Sequence, residues 1–200
     1  MEELLKHGAN VNIFDDKRRT PLIWACLKKN REMVQFLLQY PININYKCFN
    51  GNTPLIITCF TDQLEVAQDL LSEPAIQINE INNRKNTALI TAAESGNLPI
   101  VQELISRKAS LNLKNKYGNT ALMAAIEKDN IEVAEFLLHQ KVDITVRNKD
   151  GETALFIACR RNHQKLVEQL IEQGADLNGK NSNLKSVLMQ ACENKNRSLI

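Results

Sequence analysis

Gly118-Asn119-Thr120-Ala121-Leu122 returns in altered form along the whole chain, and that return decides the fold. Counted from threonine, the phase is re-entered at Thr20, Thr53, Thr87, Thr120 and Thr153, with Ser186 in the sixth place. The successive intervals are 33, 34, 33, 33 and 33 residues. A fixed period of this length marks an array of small units, each unable to bury its apolar face alone.

One unit reads in full from 115 to 147. Asn115-Lys116-Tyr117-Gly118-Asn119 is a turn, with glycine free to take positive φ. Thr120 then offers its hydroxyl to the open amides of a helix start. Ala121 to Lys128 carries apolar residues at 122, 123, 125 and 126, which predicts a short helix with a broad buried face. Asp129-Asn130 breaks it, and Ile131 to Gln140 gives a second helix. Val142 to Val146 returns the chain, extended, to the next turn. Neither helix is long enough to be stable alone in water. Each must bury its face against the helices of the next unit.

The same reading divides the chain into a partial repeat at 1–14, repeats at 15–47, 48–81, 82–114, 115–147 and 148–180, and a partial repeat at 181–200. Together they make a single repeat domain over 1–200. Pro21 and Pro54 fall in the first turn of a helix, where a missing N–H costs nothing, and Pro99 opens a second helix in the same way. Unit 48–81 is one residue longer, and the extra residue belongs after the helix ending near Leu71. The chain opens on the end of a helix with Gly8 just past it, the usual left-handed stop. Both ends lack the polar outer face that a terminal unit needs, which suggests a piece of a longer array. The last unit's second helix would begin just before Ile200.

Two hundred residues with 44% hydrophobic side chains suffice for one ordinary domain, and a net charge of +2 gives no sign of a polycation or an acidic tail. No apolar run approaches the roughly 18 residues that span a bilayer. The first residues carry acid where a signal peptide needs base. Of five cysteines, Cys26, Cys59, Cys159 and Cys192 share one phase, six residues after the anchor, where Ala93 and Ile126 stand in the other units. Stacked helices lie roughly 8–10 Å apart, beyond the ~7 Å Cα limit for a disulfide. These four are expected to be buried reduced thiols, and Cys48, out of phase in a loop, the exposed one. Unpaired thiols place the chain in a reducing, intracellular setting, either a cytoplasm or a host cytoplasm. Heavy use of Asn, Lys and Ile fits an AT-rich genome.

These features resemble the ankyrin repeat family. Thr20-Pro21-Leu22 and Thr53-Pro54-Leu55 are similar to its T-P-L. Gly51, Gly118 and Gly151 stand where its turn glycine does. Gly8-Ala9-Asn10-Val11-Asn12 and Gly174-Ala175-Asp176-Leu177-Asn178 are similar to its G-A-D-V-N. The implied fold is all-α: a solenoid of stacked helix-turn-helix units with projecting β-turn loops. Two departures stand out. The histidine that the family places three residues after the anchor is Ile23, Ile56, Ile90, Met123, Phe156 and Met189 here, so a polar tie gives way to apolar packing. Arg18, Lys85 and Leu184 replace the turn glycine, which predicts strain at positive φ. His163, in the family's other histidine place, is expected to be structural.

Three histidines far apart in phase make no shared metal or catalytic cluster. No phosphate-binding loop, nucleophile elbow or H-E-x-x-H motif appears. The reading is therefore a chain with no enzymatic activity, cofactor or metal. The family resemblance implies instead that another protein or peptide is gripped between the turn tips and the adjoining face of the first helices. Carried over by phase, the tip residues include Phe49 and Asn50, Arg84, Lys116 and Tyr117, and Lys149 and Asp150. The first-helix residues include Lys28, Phe60, Glu94, Glu127, Arg160 and Arg161. Phe49 and Tyr117 are either aromatic anchors for a partner or rings that pack on a neighbouring tip; Trp24 belongs to the core or the groove wall. Lys116, Lys149, Arg84, Arg160 and Arg161 form a basic strip interrupted by Asp150, Glu127 and Glu94. The favoured function is a protein-binding scaffold, acting as a monomeric array. The alternative is a regulatory or targeting segment of a larger multidomain enzyme or secreted microbial effector. Near-neutral charge and scattered aromatics argue against nucleic acid.

Overall fold

A computed structural model describes residues 2–193. The helices alternate in two layers. The first comprises α2 (Pro21–Leu27), α4 (Pro54–Thr61), α6 (Ala88–Ser95), α8 (Ala121–Glu127), α10 (Ala154–Arg160) and α12 (Val187–Glu193). The second comprises α3 (Arg31–Leu38), α5 (Leu64–Leu71), α7 (Leu98–Ser106), α9 (Ile131–Leu138) and α11 (Gln164–Glu172), with α1 (Glu2–Lys6) in the same phase. From α2 to α12 each first-layer helix packs on the next, as does each second-layer helix from α3 to α11, and the two helices of each of the five complete units pack together. No strand forms among the described residues; Lys180 and Ser186 make an isolated bridge. The expected second helix of the last unit lies outside the described residues.

The two layers differ because their surroundings differ. A first-layer helix is covered by two neighbours and by the second layer. In α8 every residue from Ala121 to Ile126 is buried, and the same holds for Pro54–Cys59 of α4 and Ala154–Cys159 of α10. Small residues such as Ala92, Ala93, Ala124 and Ala125 let these helices approach closely. A second-layer helix has one wet side, and α11 buries only Leu166, Val167 and Leu170.

Each first helix is capped by its anchor. The hydroxyls of Thr20, Thr53, Thr87, Thr120 and Thr153 accept from the N–H three residues on, at 3.2–3.4 Å. Ser186 does the same for Met189 at 3.2 Å. The residue in the histidine place is buried in the five inner units, at Ile23, Ile56, Ile90, Met123 and Phe156. Met189 departs from that expectation and is exposed, because α12 packs chiefly on α10 and its far side has no described neighbour.

Cys26, Cys59 and Cys159 are buried as expected, and burial pushes their thiols up to about 12, 12 and 11, so they remain neutral apolar packing groups. Cys192 is exposed, not buried, for the same reason as Met189, and Cys48 is half-buried against the core instead of exposed. All five are free thiols. The connection from Leu71 to the turn at Ile78 is one residue longer than that from Leu38 to the turn at Ile44, so the extra residue lies where the sequence requires it.

Polar side chains tie consecutive units at the start of the second helices. Gln63 donates to the Cys26 carbonyl, and Asn130 donates to the carbonyls of Ala93 and Glu94. His163 Nε2 lies 2.9 Å from the Asp129 carboxylate of the preceding unit, which makes it one of these ties.

Candidate functional site: the tip ladder and its recess

The turn preceding each first helix is built on one repeated device. Asp15, Asn82, Asn115, Asn148 and Asn181 each accept, through the side-chain oxygen, from the backbone N–H groups two and four residues on. In the same turns the amide of the first residue donates to the carbonyl four residues on, as in Asn115 to Asn119. Cys48 takes this place in the second unit, where only the backbone bonds to Asn52 and Gly51 remain. The fourth residue of each turn is left-handed: Gly51, Gly118 and Gly151 at φ 75°, 83° and 72°, and Arg18, Lys85 and Leu184 at 57°, 56° and 60°. The strained substitutes expected from the sequence are therefore present, and the closed turn holds them there.

Backbone bonds fix the register of one tip against the next. Phe49 donates to the Lys17 carbonyl, Asn83 to Asn50, Lys116 to Arg84, Lys149 to Tyr117 and Ser182 to Asp150, at 2.8–3.1 Å. The tips thus form a continuous ladder, to which Asn82, Asn83 and Asn148 add side-chain bonds between tips and the ring of Phe49 adds none. Phe49 is 72% exposed, and Tyr117 is 56% exposed with the Lys116 ammonium 4.8 Å from its ring centroid. Neither ring is drawn into a neighbouring tip. Asn50, Arg84, Lys149 and Asp150 are likewise exposed.

Three concavities follow one another between the tips and the first helices. The first, of about 600 Å³, lies between tips one and two, with Lys17, Leu27, Phe49, Asn50 and the buried Ile57 in its wall. The second, of about 380 Å³, includes Asn50, Phe60, Asn82, Arg84 and Glu94. The third, of about 370 Å³, brings together Arg84, Glu94, Tyr117, Glu127, Asp150 and Arg160. Lys28 stands above the Trp24 ring at 5.7 Å and lines none of the three. Trp24 is partly exposed and lies outside the core: Arg19 stacks on it at 4.0 Å and its Nε1 donates to Asp15. The Arg19 guanidinium at 2.6 Å holds the Asp15 carboxyl well down, at about 2.

Charge is committed unevenly along this recess. Arg160 pairs with Glu127 at 2.7 Å and Glu152 at 3.2 Å. Arg161 pairs with Glu127 at 2.9 Å and Asp129 at 3.4 Å. Burial pushes Glu127 up, but the hydrogen bonds from Arg160 and Arg161 outweigh it and hold the carboxyl below its ordinary range. These arginines brace units four and five, and the basic strip is broken there. Glu94 holds the same phase in the third unit with no ion pair. Burial raises its pKa, against a hydrogen bond from Asn86 at 2.8 Å and the more distant charges of Lys128 and Arg84. Phe60, an aromatic seven residues after its anchor, is 73% exposed on the recess. Its groove position was readable from phase, but its weight relative to Phe49 was not, because phase does not show how far a ring projects.

Among the described residues no three His, Cys, Asp or Glu side chains are arranged to hold a metal ion, and no helix is long and apolar enough to cross a membrane. No match was found among curated proteins. The sequence model of the family "Ankyrin repeats (3 copies)" matches residues 1–82, 75–148 and 140–200. Repeats of this kind generally serve as protein–protein interaction modules and are typically non-catalytic. On that coverage, with the period, the capped helix pairs and the tip ladder in agreement, the chain belongs to the ankyrin-repeat family.

Proposed function

We propose that this chain is a non-catalytic scaffold that holds a segment of another protein in the recess between its tips and first helices. The observation that carries this reading is the exposure of aromatic side chains at positions where folding does not need them. Phe49 and Tyr117 sit on a backbone ladder that is complete without their rings, and aromatic side chains are the usual anchors of protein interfaces. Asn50, Arg84, Lys116, Lys149, Asp150 and Lys28 surround them and supply polar contacts. Glu94 lines the floor. Glu127, Arg160 and Arg161 act by shaping the recess through their mutual ion pairs. Five free thiols support a reducing compartment.

The test is affinity capture with matched variants. A Phe49→Ala/Tyr117→Ala double variant should lose a captured partner while its melting curve stays with the wild type. Glu132→Ala, on the exposed side of α9, should keep that partner. Retention by the double variant together with loss by Glu132→Ala would move the binding surface to the opposite face.

A further inference from the structure

Resting on the groove reading, we infer that the first concavity, between tips one and two, and the Phe60 ring of the adjoining second concavity together take an extended peptide with a bulky apolar side chain flanked by acidic residues. Large apolar surface is concentrated there. Phe49 and Phe60 are 72% and 73% exposed, Leu27 is 39% exposed, and Trp24 adds its ring edge at 37%. All four belong to the first two units. The first concavity, about 600 Å³, is the roomiest of the three and has Leu27, Phe49 and Ile57 in its wall; Phe60 lines the second, which shares Asn50 and Asn52 with it. An aliphatic or aromatic side chain placed in it would be enclosed by apolar groups.

The charge of this end selects the flanks. Residues 15–29 carry five basic side chains against two acidic ones, and residues 48–61 carry no charge at all. Arg19 is closed on Asp15, and Arg18 stands over Tyr46 at 5.6 Å. Lys17, in the wall of the cavity beside Asp16, and Lys28, over the Trp24 ring, have no carboxylate partner among the described residues. The recess of units four and five is unlike this, because its arginines and glutamates neutralise one another. An acidic–apolar segment therefore meets cations beside apolar surface at the first two units; Arg84, Lys116 and Lys149 farther along are also without an ion pair among the described residues, but Arg84 shares its recess with Glu94 and Asp150. Only Lys17 and Arg19 line the cavity as cations, too few to track a phosphate backbone, so protein fits it better than a nucleic-acid strand.

A random peptide library panned against the full chain tests this. Enriched peptides should carry leucine, isoleucine, phenylalanine or tryptophan beside glutamate or aspartate. A synthetic peptide of that kind should bind roughly tenfold more weakly to Phe60→Ala and about threefold more weakly to Lys28→Glu, each checked for an unchanged melting curve. It should also slow alkylation of Cys48, which lines the cavity, and leave that of exposed Cys192 unchanged. Enriched peptides that lack the pattern, or that respond to Tyr117→Ala and not to Phe60→Ala, would overturn this inference and leave the wider groove reading standing. Peptides insensitive to every groove substitution would overturn both. An oligothymidylate that binds as tightly, with steep weakening in salt, would assign the patch to single-stranded nucleic acid instead.

Discussion

Lys85 and Gly118 occupy the same place in adjacent tips and carry opposite costs. Both are left-handed, at φ 56° and 83°. A side chain there costs about 1–2 kcal/mol, because Cβ crowds the carbonyl oxygen. Glycine avoids that cost but surrenders roughly 0.5–1 kcal/mol of unfolded-state entropy. Lys85→Gly should therefore raise stability by up to about 1 kcal/mol. Gly118→Ala should lower it by more than that, since an added Cβ would lie 2.8 Å from the Lys149 amide nitrogen and 3.0 Å from Asn148 Cα. Urea midpoints of the two variants should move in opposite directions; equal shifts would mean that backbone conformation does not set the cost at this position. The sequence already pointed to strain at Lys85, because the period aligned it with glycine. It did not reveal the side-chain brace that holds the strain. Asp15, Asn82, Asn115, Asn148 and Asn181 form a column that periodicity alone marks only as turn formers.

At the scale of elements, α6 and α8 carry in their last turns glutamates of the same phase that titrate with opposite consequences for stability. Glu94 is half-buried without an ion pair, so desolvation raises its folded-state pKa and its ionised form is unfavourable. That penalty is present above the folded pKa and disappears as pH falls below the ordinary glutamate range. Glu94→Gln should stabilise the protein at neutral pH, with the gain shrinking on acidification. Glu127 is held below its ordinary range by Arg160 and Arg161, so its ionised form is favourable. That contribution is present above the ordinary range and lost as pH falls through the lowered folded pKa. Glu127→Gln should destabilise at neutral pH, with the deficit closing in acid. Denaturation midpoints collected from pH 7 down to pH 3 separate the two, and parallel profiles would contradict the assignment. Phase placed both glutamates on the groove from sequence alone. Which one has a guanidinium depends on Arg160 two helices away from Glu94, and no local pattern encodes that distance.

For the whole molecule, the period is enough to specify the helix pairs, their order and their stacking, because each unit meets only its neighbours. Burial at the last unit was less legible: Cys192 and Met189 follow the buried phase yet face solvent, since phase records what a unit offers and not whether a neighbour is there to cover it. The same nearest-neighbour logic governs unfolding. In a stack whose stability is a sum of unit and interface contributions, damage at one end should stay at that end. Leu166, fully buried in α11, lies far along the array from Trp24, the single tryptophan, held in the first full unit between Arg19 and Asp15. Leu166→Ala should cost about 2–5 kcal/mol locally. The helical signal in circular dichroism should then begin to fall at lower urea, as α10 to α12 unfold, while Trp24 fluorescence keeps its wild-type midpoint. If both signals instead move together, the array unfolds as one cooperative block, and the interfaces between units are stronger than the units themselves.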